Sequence, residues 1–161
     1  MQPTNPNQFT EKAWEAIVRT PDIVKQAQQQ QFESEHLLQA LLEQEGLATS
    51  IFNKAGVNVQ ILRDRSTEFI NKQPKLSTPS GSVYLGRSLD TLFDRADGHR
   101  KDFEDDYISI EHLVLSYAKD DRFGQALLKE VGLDEKKLRT VIEQIRGSQK
   151  VTDQNPEGKY E

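Results

Sequence analysis

The chain has 161 residues, a formal net charge of −5 at pH 7 and 29% charged side chains, enough length for one domain or for two small halves sharing a core. The acidic balance excludes non-specific binding to nucleic-acid backbones, which needs a basic face to neutralise phosphate. With no cysteine and three histidines, a disulfide framework and a thiolate zinc site are excluded and a reducing, cytoplasmic setting fits.

Residues 1–8, Met1-Gln2-Pro3-Thr4-Asn5-Pro6-Asn7-Gln8, are polar and read as a mobile lead, with no basic start and apolar run of the secretory kind. Thr10 is placed to cap a helix carrying Ala13, Ala16 and Ile17. Thr20-Pro21 predicts a stop there and a new helix through Ile23, Val24 and Ala27. The run Gln28 to Gln31 reads as a solvated helix end. From Ser34 to about Glu45, Leu37, Leu38, Leu41 and Leu42 form a stripe that must be buried. A short helix around Ile51, Phe52 and Ala55 ends at Gly56, and Asn58 caps a longer one through Leu62 and Ile70. Residues 74–84 lack periodicity and join two units, 9–73 and 85–147. In the second unit Leu89, Leu92, Phe93 and Ala96 line one helix, Leu113, Val114 and Tyr117 the central one, and Leu127 and Leu128 a short one. Asp134 then caps a last helix through Ile145 to Gly147. Residues 148–161 are hydrophilic and read as an exposed tether.

The two units are copies. At a constant offset of 76, Glu35-His36-Leu37 falls on Glu111-His112-Leu113, Gly56 on Gly132 and Leu62-Arg63 on Leu138-Arg139, without a gap. Such a duplication predicts two modules that bury their apolar faces against each other. With no convincing strand and no apolar run of about 18 residues or more, the fold class is all-α, two pseudo-symmetric helical bundles packed into one domain, and no membrane is crossed.

The chemistry of an enzyme is missing. No G-x-x-x-x-G-K-[ST] stretch occurs, and Gly158-Lys159 is followed by Tyr160, so this chain alone forms no Walker-type nucleotide site. His36 and His112 occupy equivalent positions early in the central helices and suit structural roles, bonded to nearby backbone, better than a shared metal site. The acids Asp102, Glu104, Asp105 and Asp106 precede the second central helix, and Glu111 lies in its first turn, where negative charge is favoured. These features point to a non-enzymatic interaction module with an apolar groove between the units.

The stretches Phe9-Thr10-Glu11-Lys12, Phe32-Glu33-Ser34-Glu35-His36-Leu37-Leu38, Lys54-Ala55-Gly56-Val57, Asp106-Tyr107-Ile108-Ser109-Ile110-Glu111-His112-Leu113 and Val141-Ile142-Glu143-Gln144-Ile145-Arg146-Gly147 resemble the amino-terminal domain of Clp-type AAA+ chaperones, in particular the ClpB-type disaggregases. The resemblance covers residues 9 to 147, and the stretch from Lys150 to Pro156 is similar to the connector toward a first ATPase domain. It implies two pseudo-twofold-related four-helix repeats tethered to a homohexameric ring whose absent domains would bind ATP and Mg. The chain itself would hold no cofactor or metal. It also implies capture of unfolded or aggregated polypeptide and cooperation with an Hsp70-type system. By motif position, substrate handling falls on Thr10, Asp105 and Glu111. The apolar side chains flanking those acids, Leu89, Leu92, Phe93, Ile110 and Leu113, are the candidates for a groove lining, and Leu92 and Leu113 fit the core equally well. On this reading the two acids bias selection toward segments with basic neighbours. The alternative is the related domain of a protease-partner Clp ATPase, which docks adaptor proteins.

Overall fold

Side chains able to accept a backbone proton open the helices at the places where the sequence marks them. Thr10 Oγ1 accepts the Ala13 amide at the start of α1 (Glu11–Gln26), Asn58 Oδ1 the Gln60 amide at α4 (Val59–Lys72), and Asp134 Oδ1 the Lys137 amide at α8 (Glu135–Arg146). Each cap satisfies a donor that the first helical turn leaves unpaired. The computed structural model describes residues 5–78 and 81–160; parts of the expected lead (1–4), inter-repeat linker (79–80) and tether (161) lie outside the described residues. The remaining elements are α2 (Ser34–Glu43), α3 (Leu47–Lys54), α5 (Arg87–Asp102), α6 (Ile110–Ser116) with a 3-10 turn Tyr117–Lys119, and α7 (Gly124–Glu130).

The duplication carries into the backbone as well as the sequence order. Helix α5 begins and ends 76 residues after α1, and α6 and α8 begin 76 residues after α2 and α4. The chain reverses through left-handed Gly56 (φ 80) and Gly132 (φ 79), where a side chain would be strained. Two predicted features are corrected. Thr20-Pro21 does not split the first helix, which runs unbroken through Pro21. A proline inside a helix costs about 3 kcal/mol, but Ala13, Ala16, Ile17, Ile23 and Val24 on both sides of it are all buried, and their packing outweighs that cost. Strands are also present, though minimal. β1 (Gln31–Phe32) pairs in parallel with β2 (Tyr84–Leu85), and Phe9 bridges Ile108 in the same sense. The two contacts are symmetry mates, because Leu85 and Ile108 lie 76 residues beyond Phe9 and Phe32.

One continuous core fills the space between the repeats. Phe9 meets Phe93 edge-on with ring centroids 5.8 Å apart, α3 packs against α6 and α8, and the wholly buried Tyr117 donates its hydroxyl proton to the Ser34 carbonyl at 2.6 Å. Tyr117 leaves no room beside Gly124, where a Cβ would stand 2.7 Å from both its carbonyl oxygen and a ring carbon. Gly124→Ala is therefore expected to lower stability by about 1–3 kcal/mol, the usual cost of overpacking, as read from a urea unfolding midpoint.

Candidate functional site

After α1 and α5 the chain passes through one left-handed non-glycine residue, Gln28 (φ 60) and Glu104 (φ 59). The turn aims the next side chain inward, and those residues, Gln29 and Asp105, are buried. Gln29 Oε1 meets His36 Nε2 at 2.7 Å, and its Nε2 donates to the Ile70 carbonyl at 2.7 Å. In the second repeat Asp105 Oδ2 meets His112 Nε2 at 2.7 Å, and Arg146, which stands 76 residues beyond Ile70, donates to both Asp105 oxygens at 2.7 Å. The imidazole Nδ1 atoms accept the amides of Glu33 and Ser109, both at 2.9 Å. That assignment puts the ring proton on Nε2, where it is donated to Gln29 or Asp105. Gln29 was read from the sequence as a solvated glutamine, and the structure corrects that: it is the neutral twin of Asp105.

Electrostatics separate the twins. Burial and the nearby Arg122 push the His36 imidazole down to about 4, so it stays neutral. Burial alone would raise the Asp105 carboxyl, but the bonds from His112, Arg146 and the Val151 amide hold it well below the usual carboxylate range. Arg146 also approaches Glu111, Nε to Oε2 at 3.5 Å. Both acids assigned by resemblance are thus already faced by an internal cation.

The segment after α8 differs from the exposed tether expected for residues 148–161. Val151 and Glu157 are wholly buried and Pro156 is buried. The Val151 amide donates to Asp105 Oδ1 at 2.9 Å, its carbonyl accepts the Asp106 amide at 2.8 Å, and the Gln154 carbonyl accepts the Glu11 amide at 2.7 Å. Glu157 Oε2 then accepts from Thr10 Oγ1 at 2.5 Å and from the Ile110 amide at 3.2 Å. Tyr160 donates its hydroxyl to Glu111 Oε2 at 2.5 Å, and its ring lies 5.8 Å from the Arg146 guanidinium carbon. The remaining oxygens, Oε1 of Glu111 and Oε1 of Glu157, are buried without a hydrogen-bond partner among the described residues. Burial, with the neighbouring Glu111 charge adding to it, pushes the Glu157 carboxyl up to about 7 against the Thr10 hydrogen bond.

The structure therefore brings Thr10, Asp105, Ile110 and Glu111 to one junction between the repeats, with Arg146 and Glu157, which the sequence reading missed. The apolar candidates do not form an open lining. Leu89, Leu92, Phe93, Ile110 and Leu113 are each at most 1% exposed, because α5 and α6 close on one another. The apolar groove expected between the units has a different counterpart, a cleft of about 350 Å³ between α4 and α7. Phe69, Phe123, Ala126 and Leu127 line it, with Arg65 and Arg122 at its edges. Among the described residues no cluster of His, Cys, Asp and Glu could hold a metal, and no helix is long and apolar enough to cross a membrane.

Two helical repeats exchanging short bridges around a single core define the class, and the chain belongs to the Clp repeat (R) N-terminal domain family, which it matches over residues 8–131. Over all 161 residues it is 70% identical to the Chaperone protein ClpB 2 of Nostoc sp. (strain PCC 7120), and over 160 residues 69% identical to the Chaperone protein ClpB 1 of Thermosynechococcus vestitus. It spans 18% of the length of each. The crystal structure of the Hsp104 N-terminal domain from Candida albicans shares its fold, with a TM-score of 0.83 and 19% identity over 93% of this chain and 99% of that one.

The junction makes two outcomes measurable. Arg146→Ala leaves Asp105 buried beside only His112 and the Val151 amide, and should cost on the order of 3–5 kcal/mol in chemical unfolding, the range for breaking a buried pair. The pH dependence of the terminal segment follows from Glu157, which faces Thr10, the Ile110 amide, Glu111 and, through Tyr160, Arg146. Its carboxyl holds a proton more tightly in place than when released, so the contribution of Glu157 to the segment's hold is complete below about 4.3 and falls away as pH rises through about 7. Amide exchange at Glu11, Asp106, Val151 and Tyr160, whose amides bond to or within the segment, corrected for intrinsic rates, should show greater protection at pH 6 than at pH 8.

Proposed function

We propose that this chain is the client-recruiting amino-terminal domain of a ClpB-type chaperone, capturing unfolded or aggregated polypeptide and passing it to an ATP- and Mg-dependent hexameric ring that works with an Hsp70-type system. The observation that carries the reading is convergence. Thr10, Asp105 and Glu111 lie up to 101 residues apart in the chain, yet they meet at one inter-repeat junction through the contacts of Glu157 and Arg146. Residues needed only for local capping would have no reason to gather there.

The binding this favours is loose. The acids are buried and faced by Arg146, so a client gains little from a bare charge, and burying a charge without a partner is costly. Affinity instead comes from modest apolar burial, at roughly 25 cal/mol per Å2, with the cleft between α4 and α7 as an apolar surface open in this conformation. Weak, sequence-tolerant capture also suits release toward a motor. Residues 148–161 are the connector on this reading.

An amide chemical-shift titration with reduced, carboxymethylated α-lactalbumin tests it. Micromolar-range binding is expected, with shifts gathering at Thr10, Ile110, Glu111 and Arg146. Absence of binding, or shifts confined to surfaces away from the junction and the α4–α7 cleft, would overturn the reading. A saturable one-to-one complex with a folded adaptor and none with the unfolded client would favour adaptor docking instead.

A further inference from the structure

The two repeats close the same junction differently. In the first, groups inside the fold do so: the Ser34 amide donates to Ser88 Oγ at 2.9 Å, and Asp120 Oδ2 accepts from Ser34 Oγ at 2.7 Å and from the Gly124 amide at 2.7 Å. Arg122, two residues on, grips Glu35 with two bonds of 2.9 Å. Ser34 and Glu35 are the equivalents of Ile110 and Glu111 in the second repeat. There, a carboxylate and a partner for the glutamate come instead from the terminal segment, as Glu157 on Thr10 and Ile110 and Tyr160 on Glu111. Asp120 is fixed by helices on both sides. Glu157 sits in a single 3-10 turn, Glu157–Lys159, beyond the last helix.

We infer that the Thr10–Ile110–Glu111–Arg146 surface is a peptide-binding site for a turn bearing a carboxylate and, three residues later, an aromatic hydroxyl, and that residues 157–160 occupy it as an internal stand-in for a client. The inference rests on the client-recruiting reading and deepens it by naming the ligand chemistry and what competes for the site.

The anchors define that chemistry. Thr10 Oγ1 and the Ile110 amide are donors set for one carboxylate oxygen. Glu111 Oε2 is an acceptor set for a hydroxyl, and the Arg146 guanidinium lies close enough to the Tyr160 ring for a cation–π contact. The spacing between anchors is that of one turn, since residues i and i+3 of a 3-10 helix eclipse. The bond pattern also makes the segment displaceable. Among the described residues Glu157 and Glu111 each keep one buried oxygen unpaired, and their mutual repulsion contributes to raising the Glu157 carboxyl. An occupant with an unrelieved penalty can be exchanged for another segment that makes the same bonds. This reverses the expectation that the junction selects basic segments: its charged side chain Arg146 is committed to Asp105 and Glu111, and the donors Thr10 Oγ1 and the Ile110 amide suit an acid beside the one acceptor, Glu111 Oε2.

Untying the segment within the whole chain tests the inference. In Glu157→Ala/Tyr160→Ala the anchors are lost while the site is intact, and fluorescence anisotropy with labelled reduced, carboxymethylated α-lactalbumin should show about tenfold tighter binding, as when a site occupied about nine tenths of the time is vacated. The milder Tyr160→Phe, which removes only the hydroxyl bond to Glu111, should give a smaller gain and guards against misfolding of the double variant. A synthetic peptide of residues 151–160 should bind the untied variant, shift the amides of Thr10, Ile110 and Glu111, and compete the client away. The same peptide with alanine at both anchor positions should do neither. If the native peptide fails to bind the untied variant while the client still binds, the ligand assignment is overturned and client recruitment stands. If the peptide binds but the client binds neither form, client recruitment falls and the acid-and-aromatic site stands. Client affinity unchanged by untying would overturn the competition.

Discussion

Everything in this fold turns on an inward-pointing side chain held between a histidine and the end of a fourth helix. Gln29 does this in the first repeat and Asp105 in the second, each aimed by a left-handed residue just before it. The strut joins the loop after the first helix to the start of the second and to the last turn of the fourth, so three elements share one anchor. In the first repeat it is neutral and needs only hydrogen bonds. In the second it is ionic, and a buried ion pair is stable only when all its partners are present. Val151 and Glu111 are drawn in as those partners, which ties the terminal segment to the second repeat.

Much of the architecture was legible in the residues. Constant spacing between copies and helical periodicity placed the helices, and Thr10, Asn58 and Asp134 marked helix starts because capping is a local effect. What failed was what depends on distant atoms. Pro21 carries a local penalty, and only the buried face around it, invisible to a window of neighbours, shows that the helix survives. Gln29 sits in a run of four glutamines, and nothing in that run distinguishes a solvated amide from one bonded to Ile70. Residues 148–160 have the composition of a tether, and their order rests on bonds to Thr10, Asp105 and Glu111, all at least 40 positions away along the sequence. One signal was available: Arg146 stands where its twin is Ile70, and a lone cation in an apolar position asks for a buried acid. The apolar candidates were ambiguous in principle, since a stripe facing a groove and a stripe facing a core have the same period.

The acids marked by resemblance are therefore structural before they are anything else. Asp105 and Glu111 are hidden from solvent and tied to Arg146, while Thr10 caps α1 and also holds Glu157. A change at any of them alters the packing of two repeats and the seating of the terminal segment together. Loss of function at such positions does not by itself identify a contact, and readouts that report the position of residues 151–160 separate the two causes.

The paired bridges have a further meaning. Phe9 of one half meets Ile108 of the other, and Leu85 meets Phe32 in return, so that each half lends an arm to its sibling. Two identical halves on separate chains could shake hands in the same way, since an isologous pair makes every contact twice. The present domain is, in effect, a homodimer written on one polypeptide, and a gene encoding a single half would be expected to produce a self-pairing protein rather than a lone folded monomer.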